Sequence, residues 1–340
     1  MSEDNDTAYE THHRSRSSIH QNKNEKRRHK KKRFSLTKFL LFLFLGLIVA
    51  AGIYVYKIYG DLRNTSVAIT TSRPEEQVQV RPEPVNIEKE QKPFSVLLLG
   101  IDTGDLGRID QGRSDVMIVA TVNPNTNQTT LTSIPRDTLT EIVGYGTTDK
   151  INHAYAFGGM AMAVNTVQNL LDIPIDFTIT VNMKGFSDVV DAVGGVTLTP
   201  TVTFEQRGYQ FVEGQTMHLD GDQALAYSQN RYDTGGDYGR QERQRQLIEA
   251  LLAEVIDFSL LYRYNDILIS LEDNVTTDLT FDEIVTLSRH YTGAASNVVN
   301  YQLTGHGEMI DGIYYEIIED DSLNSISSQL KTQLEIESAS

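Results

Sequence analysis

The sequence predicts an α/β fold, in which a mixed central β-sheet is flanked by helices and preceded by one transmembrane helix. Three short apolar runs, 96–99, 116–120 and 130–134, are bounded by Gly, Asp, Asn or Pro, which is typical of buried strands. After residue 158, strand-like runs alternate with segments of helical spacing, which indicates helices on both faces of a sheet. A charge-free apolar run over 39–56 precedes this domain and is as long as a membrane span.

The composition excludes some kinds of site. The 340 residues include no Cys, so disulfides, thiolate catalysis and thiolate metal sites are excluded. The net charge of −16 is unevenly distributed, because residues 1–38 carry eleven Lys or Arg against five Asp or Glu. The basic head and the acidic remainder therefore need separate explanations.

The head, 1–37, is predicted to be a disordered, cytoplasmic, basic tail. By itself its KNEKRRHKKKRF run would be typical of nucleic-acid binding. The apolar run that follows argues against that reading, because eighteen helical residues rise about 27 Å, close to the hydrocarbon thickness of a bilayer. We therefore expect no nucleic-acid partner and predict a transmembrane helix over 38–58.

The positive-inside rule gives the orientation of this helix, with everything after it outside the cell. The alternative is a cleaved signal peptide, for which Ala50, Ala51 and Gly52 would supply the small residues. The long apolar run and its tyrosines argue against cleavage. Residues 59–93 are polar, contain several Pro and lack periodicity, so they are predicted to form an extended extracellular stalk.

The main domain is predicted over 94–332, with a tail over 333–340. Its helices are predicted at 158–172, 183–193, 220–228 with Asp220 as N-cap, 260–271 and 281–289, and its later strands at 177–181, 196–199 and 313–317. The segment from Asp320 onward is expected to be surface or frayed.

A further helix begins near Arg240, and its apolar stripe continues toward the N-terminus through Gln244 and Arg240. These two side chains should therefore point inward where the helix dipole already favours an anion. A buried guanidinium needs a partner, which is either a protein carboxylate or a bound phosphate.

Charged side chains also cluster at the predicted strand ends and at the start of this helix. Carboxylates are hard oxygen ligands that suit Mg²⁺ together with phosphate oxygens, and guanidinium groups clamp phosphates in a bidentate manner. The carboxylates are Asp102 and Asp115, and the arginines are Arg113, Arg136, Arg231 and Arg240. For each of these residues taken alone, the competing interpretation is an ordinary ion pair. That interpretation is weaker for the set, because all of them are placed together.

Other catalytic classes lack their motifs. No P-loop, GxGxxG, GxSxG or HExxH sequence occurs, and the histidines after residue 150 are far apart in sequence. The site is therefore predicted to rest on acids and arginines.

Seven motifs in consistent order over 94–252 resemble the LytR-CpsA-Psr family of membrane-anchored enzymes of Gram-positive bacteria. They are LLLGID, GRSDVMIVATVNP, SIPRD, DKINHAYAFGG, VGGV, HLDGDQALAY and GDYGRQERQRQ. The resemblance implies an enzyme that uses Mg²⁺ (or Mn²⁺) and arginines to bind a polyprenyl pyrophosphate-linked glycan. Such an enzyme transfers the glycan phosphate, of teichoic acid or capsular type, to peptidoglycan in cell wall biogenesis.

The resemblance also assigns roles to residues. It implies that Asp102 and Asp115 hold the metal, and that Arg136, Arg231 and Arg240 act in catalysis with Asp237 close to the metal or serving as base. The implied substrate-binding residues are Arg113, Arg136, Gln229, Arg231, Arg240 and Gln244. Gln229 stands where the family usually has a first arginine, so donor affinity or substrate choice is expected to differ.

The predicted mechanism is phosphoryl transfer by positioning and electrostatics, with an acceptor sugar hydroxyl as nucleophile. Two alternatives stay open at this point. A polyprenyl-pyrophosphate hydrolase would use the same residues with water as acceptor. A non-catalytic envelope regulator would signal through the basic head, which carries no recognisable DNA-binding fold.

Overall fold

The computed structural model describes residues 36–72, 74–75, 78–81, 83–102, 112–231, 235–255, 272 and 274–336. The chain divides into two units, Met1–Ile53 and Tyr54–Ser340. The helices are α1 Leu36–Ile69, α2 His153–Leu171, α3 Met183–Val193, α4 Gly221–Gln229, α5 Gly236–Val255, α6 Phe281–His290, α7 Thr292–Ala295 and α8 Asp320–Gln333.

The strands lie in the second unit. They are β1 Phe94–Ile101, β2 Ser114–Asn123, β3 Gln128–Ser133, β4 Leu139–Ile142, β5 Thr147–Lys150, β6 Phe177–Asn182, β7 Val196–Leu198, β8 Phe204–Gln206, β9 Tyr209–Phe211, β10 Met217–Leu219, β11 Val275–Thr277, β12 Val298–Gln302, β13 Gly305–Ile310 and β14 Ile313–Ile318. Six of them form the central sheet in the order β11-β6-β1-β2-β3-β12. The β1–β6 and β3–β12 pairs are parallel and the others antiparallel, so the predicted mixed α/β sheet is confirmed.

Each face of the sheet packs against helices. Along β1, Leu97 and Leu99 face a core completed by α2 and α8, because successive side chains of a strand point to opposite faces. On the other face Val96 lies in a second core, against which Leu98 and α5 and α6 pack. A third core joins α3, α4 and α5 to the short hairpins β7–β10 and β8–β9. The central sheet is therefore covered on both faces.

Several local predictions agree with the structure. Helix α3 spans the predicted residues, and Asp220 caps α4 through a capping box with Gln223. Helix α2 begins at His153, before the predicted start, and is kinked at Gly158 and Gly159. The helix predicted at 260–271 lies outside the described residues.

Two predictions at the ends of the domain differ from the structure. The prediction of a frayed surface segment after Asp320 is wrong, because α8 buries Ile326 and Leu330 in the core under the sheet. Within 59–93, the described residues include two stretches that are packed on the domain rather than extended as a stalk. Helix α1 continues to a buried Ile69, and Ile87 is buried against the sheet. Packing of these apolar side chains ties the segment to the domain.

Among the described residues, no helix combines enough length with enough apolarity to cross a membrane. The transmembrane helix over 38–58 and the cytoplasmic tail over 1–37 stay predictions.

Candidate active site

A cavity of about 750 Å³ lies between the central sheet and helices α3 and α5. Most of its wall is apolar. The sheet contributes Leu98, Val116, Ile179, Val181 and Val275, and the helices contribute Met183, Phe186, Val189, Leu247, Ile248 and Leu251. Such a wall suits an apolar ligand rather than a hydrated one.

The polar lining comes from the ends of these same elements. Asp102 directly follows β1 and Asp115 opens β2, and the antiparallel register pairs Ile101 with Ser114, so that both carboxylates lie at one edge of the sheet. Arg136 follows β3 at that edge. Gln229 at the end of α4, Arg231 just after it, and Arg240 and Gln244 on α5 also line the cavity, together with Asn182, Gln206 and Ser228. Seven of the nine residues predicted from the acid and arginine pattern and from the motifs therefore line one cavity, and the two exceptions are described below.

Helix α5 shows why the two kinds of lining adjoin. Arg240, Gln244, Leu247, Ile248 and Leu251 all line the cavity, as the stripe read from the sequence predicts. The polar members come first along the helix and the apolar ones follow. A single helix face therefore leads from the arginines into the apolar part.

Arg136 is held by two carboxylates. Its Nη1 donates to Asp115 Oδ1 at 2.8 Å, and its Nε lies 3.6 Å from Asp137 Oδ2. Burial by itself lowers the pKa of Arg136, but the charges of Asp115 and Asp137 outweigh it and raise that pKa. Lys150 Nζ lies 2.8 Å from Asp137 Oδ1 and extends the network away from the cavity.

Arg240 is only 6% exposed and donates to Asp237 one turn earlier on α5. The second carboxylate oxygen of Asp237 accepts from Gln241 Nε2 at 2.9 Å. Burial lowers the pKa of Arg240; the charge of Asp237 opposes this effect, and the charges of Arg136 and Arg231 add to it. The partner left open by the sequence is thus a protein carboxylate, while the guanidinium still borders the cavity beside two other cations.

Two predicted site residues lie differently. The exposed Arg113 is not among the residues lining the cavity, although its backbone N–H donates to Asp102 Oδ1 at 2.7 Å. Asp237 does not line the cavity either, and its carboxylate is engaged by Arg240 and Gln241. Their assigned roles in substrate binding and proton transfer stay predictions.

A divalent cation has a suitable but small donor set here. In the part of the chain that the structure describes, no group of three or more His, Asp or Glu is arranged to hold a metal. Asp102 and Asp115 supply carboxylate oxygens on the cavity wall, and Mg²⁺ commonly uses one or two carboxylates together with waters and substrate phosphates. The donor chemistry therefore fits Mg²⁺ only in combination with a phosphate ligand.

Sequence reasoning did not find the apolar wall. Its signal is weak, because Ile179 and Val181 alternate with Thr178 and Thr180 as in any half-buried strand. Gly100 also lines the cavity, and a larger residue would not fit there without a shift, because its Cβ would lie 2.8 Å from Val116 Cβ. The buried Arg243 was missed as well; it donates to the Asn230 carbonyl and lies 5.1 Å from the centre of the Phe204 ring.

Comparison with known proteins decides the family. The model of the LytR_cpsA_psr family matches residues 53–332, which is most of the chain. This chain belongs to that family. The family resemblance carried by the seven motifs is confirmed, and the matched segment includes every described residue of the cavity wall.

Several named relatives are similar to this chain over most of their own length. A polyisoprenyl-teichoic acid–peptidoglycan teichoic acid transferase TagU from Enterococcus faecalis is 49% identical over 251 residues, which cover 74% of this chain and 82% of that protein. The TagU of Bacillus subtilis is 42% identical over 311 residues, covering 91% and 98%. A solved structure of B. subtilis TagU matches with a TM-score of 0.59 and 41% identity, over 73% of this chain and all of that chain.

Proposed function

We propose that this LytR_cpsA_psr protein transfers a teichoic-acid-type glycopolymer from a polyprenyl pyrophosphate carrier to peptidoglycan. The observation that carries the proposal is a single cavity with an apolar wall and an arginine-rich end. A lipid-linked pyrophosphate has the same two parts, an apolar chain and an anionic group. The names of the TagU relatives, which are teichoic acid transferases, support the same reaction.

Donor binding follows from the lining. The polyprenyl chain would lie along Phe186, Ile179 and Ile248, where burial of apolar surface contributes about 25 cal/mol per Å². The pyrophosphate would lie against Arg136, Arg231 and Arg240, and each charged hydrogen bond contributes about 1.5–3 kcal/mol. Gln229 and Gln244 would donate amide hydrogens to the same oxygens without adding charge.

Catalysis would rest on charges already in place. Negative charge that develops on the departing polyprenyl phosphate is stabilised by preorganised guanidinium groups. The carboxylates of Asp115 and Asp137 hold Arg136 in position, and Asp237 does the same for Arg240. Asp102 and Asp115 would hold Mg²⁺ or Mn²⁺, which supplies further neutralisation of phosphate charge when bound.

The family resemblance leaves the role of Asp237 open between a neighbour of the metal and a general base. Its two carboxylate oxygens already accept from Arg240 and Gln241. Both oxygens are thereby engaged by side chains of α5, and Asp237 does not line the cavity in which the acceptor hydroxyl would meet the donor. We therefore propose that Asp237 orients Arg240, and that another group or the substrate itself accepts the proton of the acceptor hydroxyl.

The transfer assay combines the purified full-length protein, a radiolabelled lipid-linked glycopolymer and peptidoglycan. Label should appear in the insoluble peptidoglycan with release of polyprenyl phosphate. Release of label into solution without peptidoglycan attachment would instead show the hydrolase alternative. Arg231→Ala should abolish transfer, whereas Arg289→Ala, an equal loss of charge at an exposed position of α6, should leave the rate unchanged.

We also propose that the catalytic domain is extracellular and held at the cell membrane by the predicted helix over 38–58. The basic head before an uninterrupted apolar run supports this orientation. Protease added to intact protoplasts should remove the domain and spare the head. Full protection of the domain would contradict the orientation, and with it the access to peptidoglycan.

A further inference from the structure

Two aromatic rings lie stacked at the surface, away from the cavity wall. Tyr145, in the turn between β4 and β5, is 55% exposed, and Phe157, in the first part of α2, is 39% exposed. Their ring centroids are 4.3 Å apart and their planes differ by 18°. The proposed donor site uses neither ring. Single exposed aromatic residues are ordinary on protein surfaces, so the side chains around this pair decide whether it can bind a ligand.

The first such observation is the polar rim beside the pair. The His153 ring lies 5.5 Å from the ring of Phe157, and its Nδ1 is 2.7 Å from Asp149 Oδ2. The other carboxylate oxygen of Asp149 accepts from the Tyr315 hydroxyl at 3.5 Å. An exposed apolar face is thus bordered by an imidazole, a carboxylate and a phenol, all able to form hydrogen bonds with a ligand.

The second observation is the connection of this rim to the arginine-rich end of the cavity. Lys150, next to Asp149, contacts Asp137 at 2.8 Å, and Asp137 in turn contacts Arg136 at 3.6 Å. Arg136 borders the cavity and is bound to Asp115. The aromatic pair is therefore linked to the groups assigned to the pyrophosphate by a short series of contacts, in which the Lys150 backbone N–H donates to Asp149 Oδ1 at 2.8 Å.

The chemistry of this surface fits a sugar better than a lipid or a nucleic acid. A pyranose ring has a C–H face that packs on an aromatic ring, and hydroxyl groups at its edge that need donors and acceptors. The charges beside the pair are balanced, because Asp137 contacts Arg136 and Lys150 and Asp149 contacts His153, so this surface offers no net positive field to attract anionic lipid headgroups or phosphodiester backbones. Those two classes of partner are therefore disfavoured.

We propose that Tyr145 and Phe157, with His153 and Asp149 at their edge, form a saccharide subsite that holds the acceptor glycan strand. Naming the ligand as the acceptor rests on the proposed transferase function. Binding of a sugar strand at this surface does not depend on that function and is tested separately.

The binding test uses the absence of Trp from this chain. Tyr145→Trp keeps an aromatic ring at the surface and introduces a single fluorescent reporter. Titration of the full-length variant with chitotetraose, a soluble β-linked hexosamine chain, should shift the emission with saturation. The control is Val212→Trp, at a position 40% exposed beyond β9. An unchanged Tyr145→Trp emission at millimolar sugar, or an equal shift in the control, would overturn the proposal.

The kinetic test compares acceptor with donor. In the doubly substituted Tyr145→Ala, Phe157→Ala protein, the KM for peptidoglycan should rise roughly tenfold, as expected when ring stacking is lost. The KM for the lipid-linked donor and the rate at saturating acceptor should stay as in the wild type, and Val212→Ala should change neither. An unchanged acceptor KM in a folded variant overturns the proposal, and so does an equal rise in the donor KM.

The two tests also separate the inference from the proposed function. If the wild type transfers no glycan while Tyr145→Trp reports saturable sugar binding, the transferase proposal fails and the saccharide subsite stands. If transfer occurs but the rings affect neither sugar binding nor the acceptor KM, the subsite fails and the transferase proposal stands. Loss of binding to anionic phospholipid vesicles in the double variant, with an unchanged KM for peptidoglycan, would assign the rings to a membrane and overturn the subsite.

Discussion

Replacing Arg240 by Ala tests whether that arginine serves the ligand or the fold. Its guanidinium is buried and paired with Asp237, which would suggest a structural ion pair. It also borders the cavity and lies close enough to Arg136 and Arg231 for their charges to lower its pKa, in addition to the larger effect of burial. Repulsion and desolvation both disfavour this cation when no anion is bound.

The expected change in stability is small. Removing one partner of a fully buried pair typically costs about 3–5 kcal/mol, because the other charge is left without compensation. Asp237, however, is 33% exposed and keeps the hydrogen bond from Gln241. The relief of repulsion also offsets part of the loss. We therefore expect Arg240→Ala to lower the free energy of unfolding by about 1 kcal/mol or less, as for a solvated pair.

The expected change in binding is larger. Loss of one charged hydrogen bond, about 1.5–3 kcal/mol, corresponds to a donor affinity about ten- to 150-fold weaker. Urea unfolding of the ligand-free protein measures the free energy of unfolding, and isothermal titration with polyprenyl pyrophosphate measures the donor affinity.

Arg243→Ala is the matched control on the same helix. Arg243 is 1% exposed, donates to the Asn230 carbonyl and packs on Phe204, and it does not line the cavity. The Arg243→Ala protein should therefore lose more stability than the Arg240→Ala protein. Once folded, it should bind the donor as the wild type does. An Arg240→Ala protein destabilised by more than about 3 kcal/mol that still binds like wild type would refute the reasoning.

Four further changes test other parts of the structure. Asp115→Asn should remove the Mg²⁺ dependence of donor binding in titrations with and without a chelator; an unaltered dependence would contradict the proposed metal role. Ile179→Trp should fill the apolar cavity and block long-chain polyprenyl pyrophosphate, while inorganic pyrophosphate, which has no chain, still binds; equal loss for both ligands would argue against that placement of the chain. The hydrogen bond to Glu316 and burial raise the pKa of Tyr314 to about 12. The contribution of this tyrosine to the free energy of unfolding is therefore present below pH 10.0 and is lost as the pH rises toward 12. In Glu316→Gln, an absorbance titration of the tyrosines should show a lower pKa for Tyr314. Leu330→Ala should lower the free energy of unfolding by about 2–5 kcal/mol in urea, whereas a change below about 1 kcal/mol would mean that α8 does not close the core.

Local sequence signals were sufficient for much of the fold. Helix α3 ends where Gly194 adopts the left-handed conformation, and α4 begins at the capping box of Asp220. The four-residue spacing of Arg240 and Gln244 predicted that both face the interior, and both border the cavity. These features depend on residues within one or two helical turns of each other, which a single sequence displays directly.

Prediction from local sequence signals failed where the structure depends on contacts between residues far apart in the sequence. The polar sequence of α8 conceals a helix whose Ile326 and Leu330 are buried only because they meet side chains of the sheet more than 150 residues earlier. The order of the strands and the apolar wall of the cavity depend on such contacts as well.

The sequence by itself determined the alternation of strands and helices, the inward face of α5, the acids and arginines of the site, and membership of the family. Only the tertiary structure decided that Asp237 is the partner of Arg240, that Arg113 lies off the cavity wall, and that Tyr145 stacks on Phe157. The physical reason is that helix periodicity and capping are set by neighbours along the chain. Ion pairs, cavities and surface stacking are set by the packing of segments whose mutual positions no local pattern specifies.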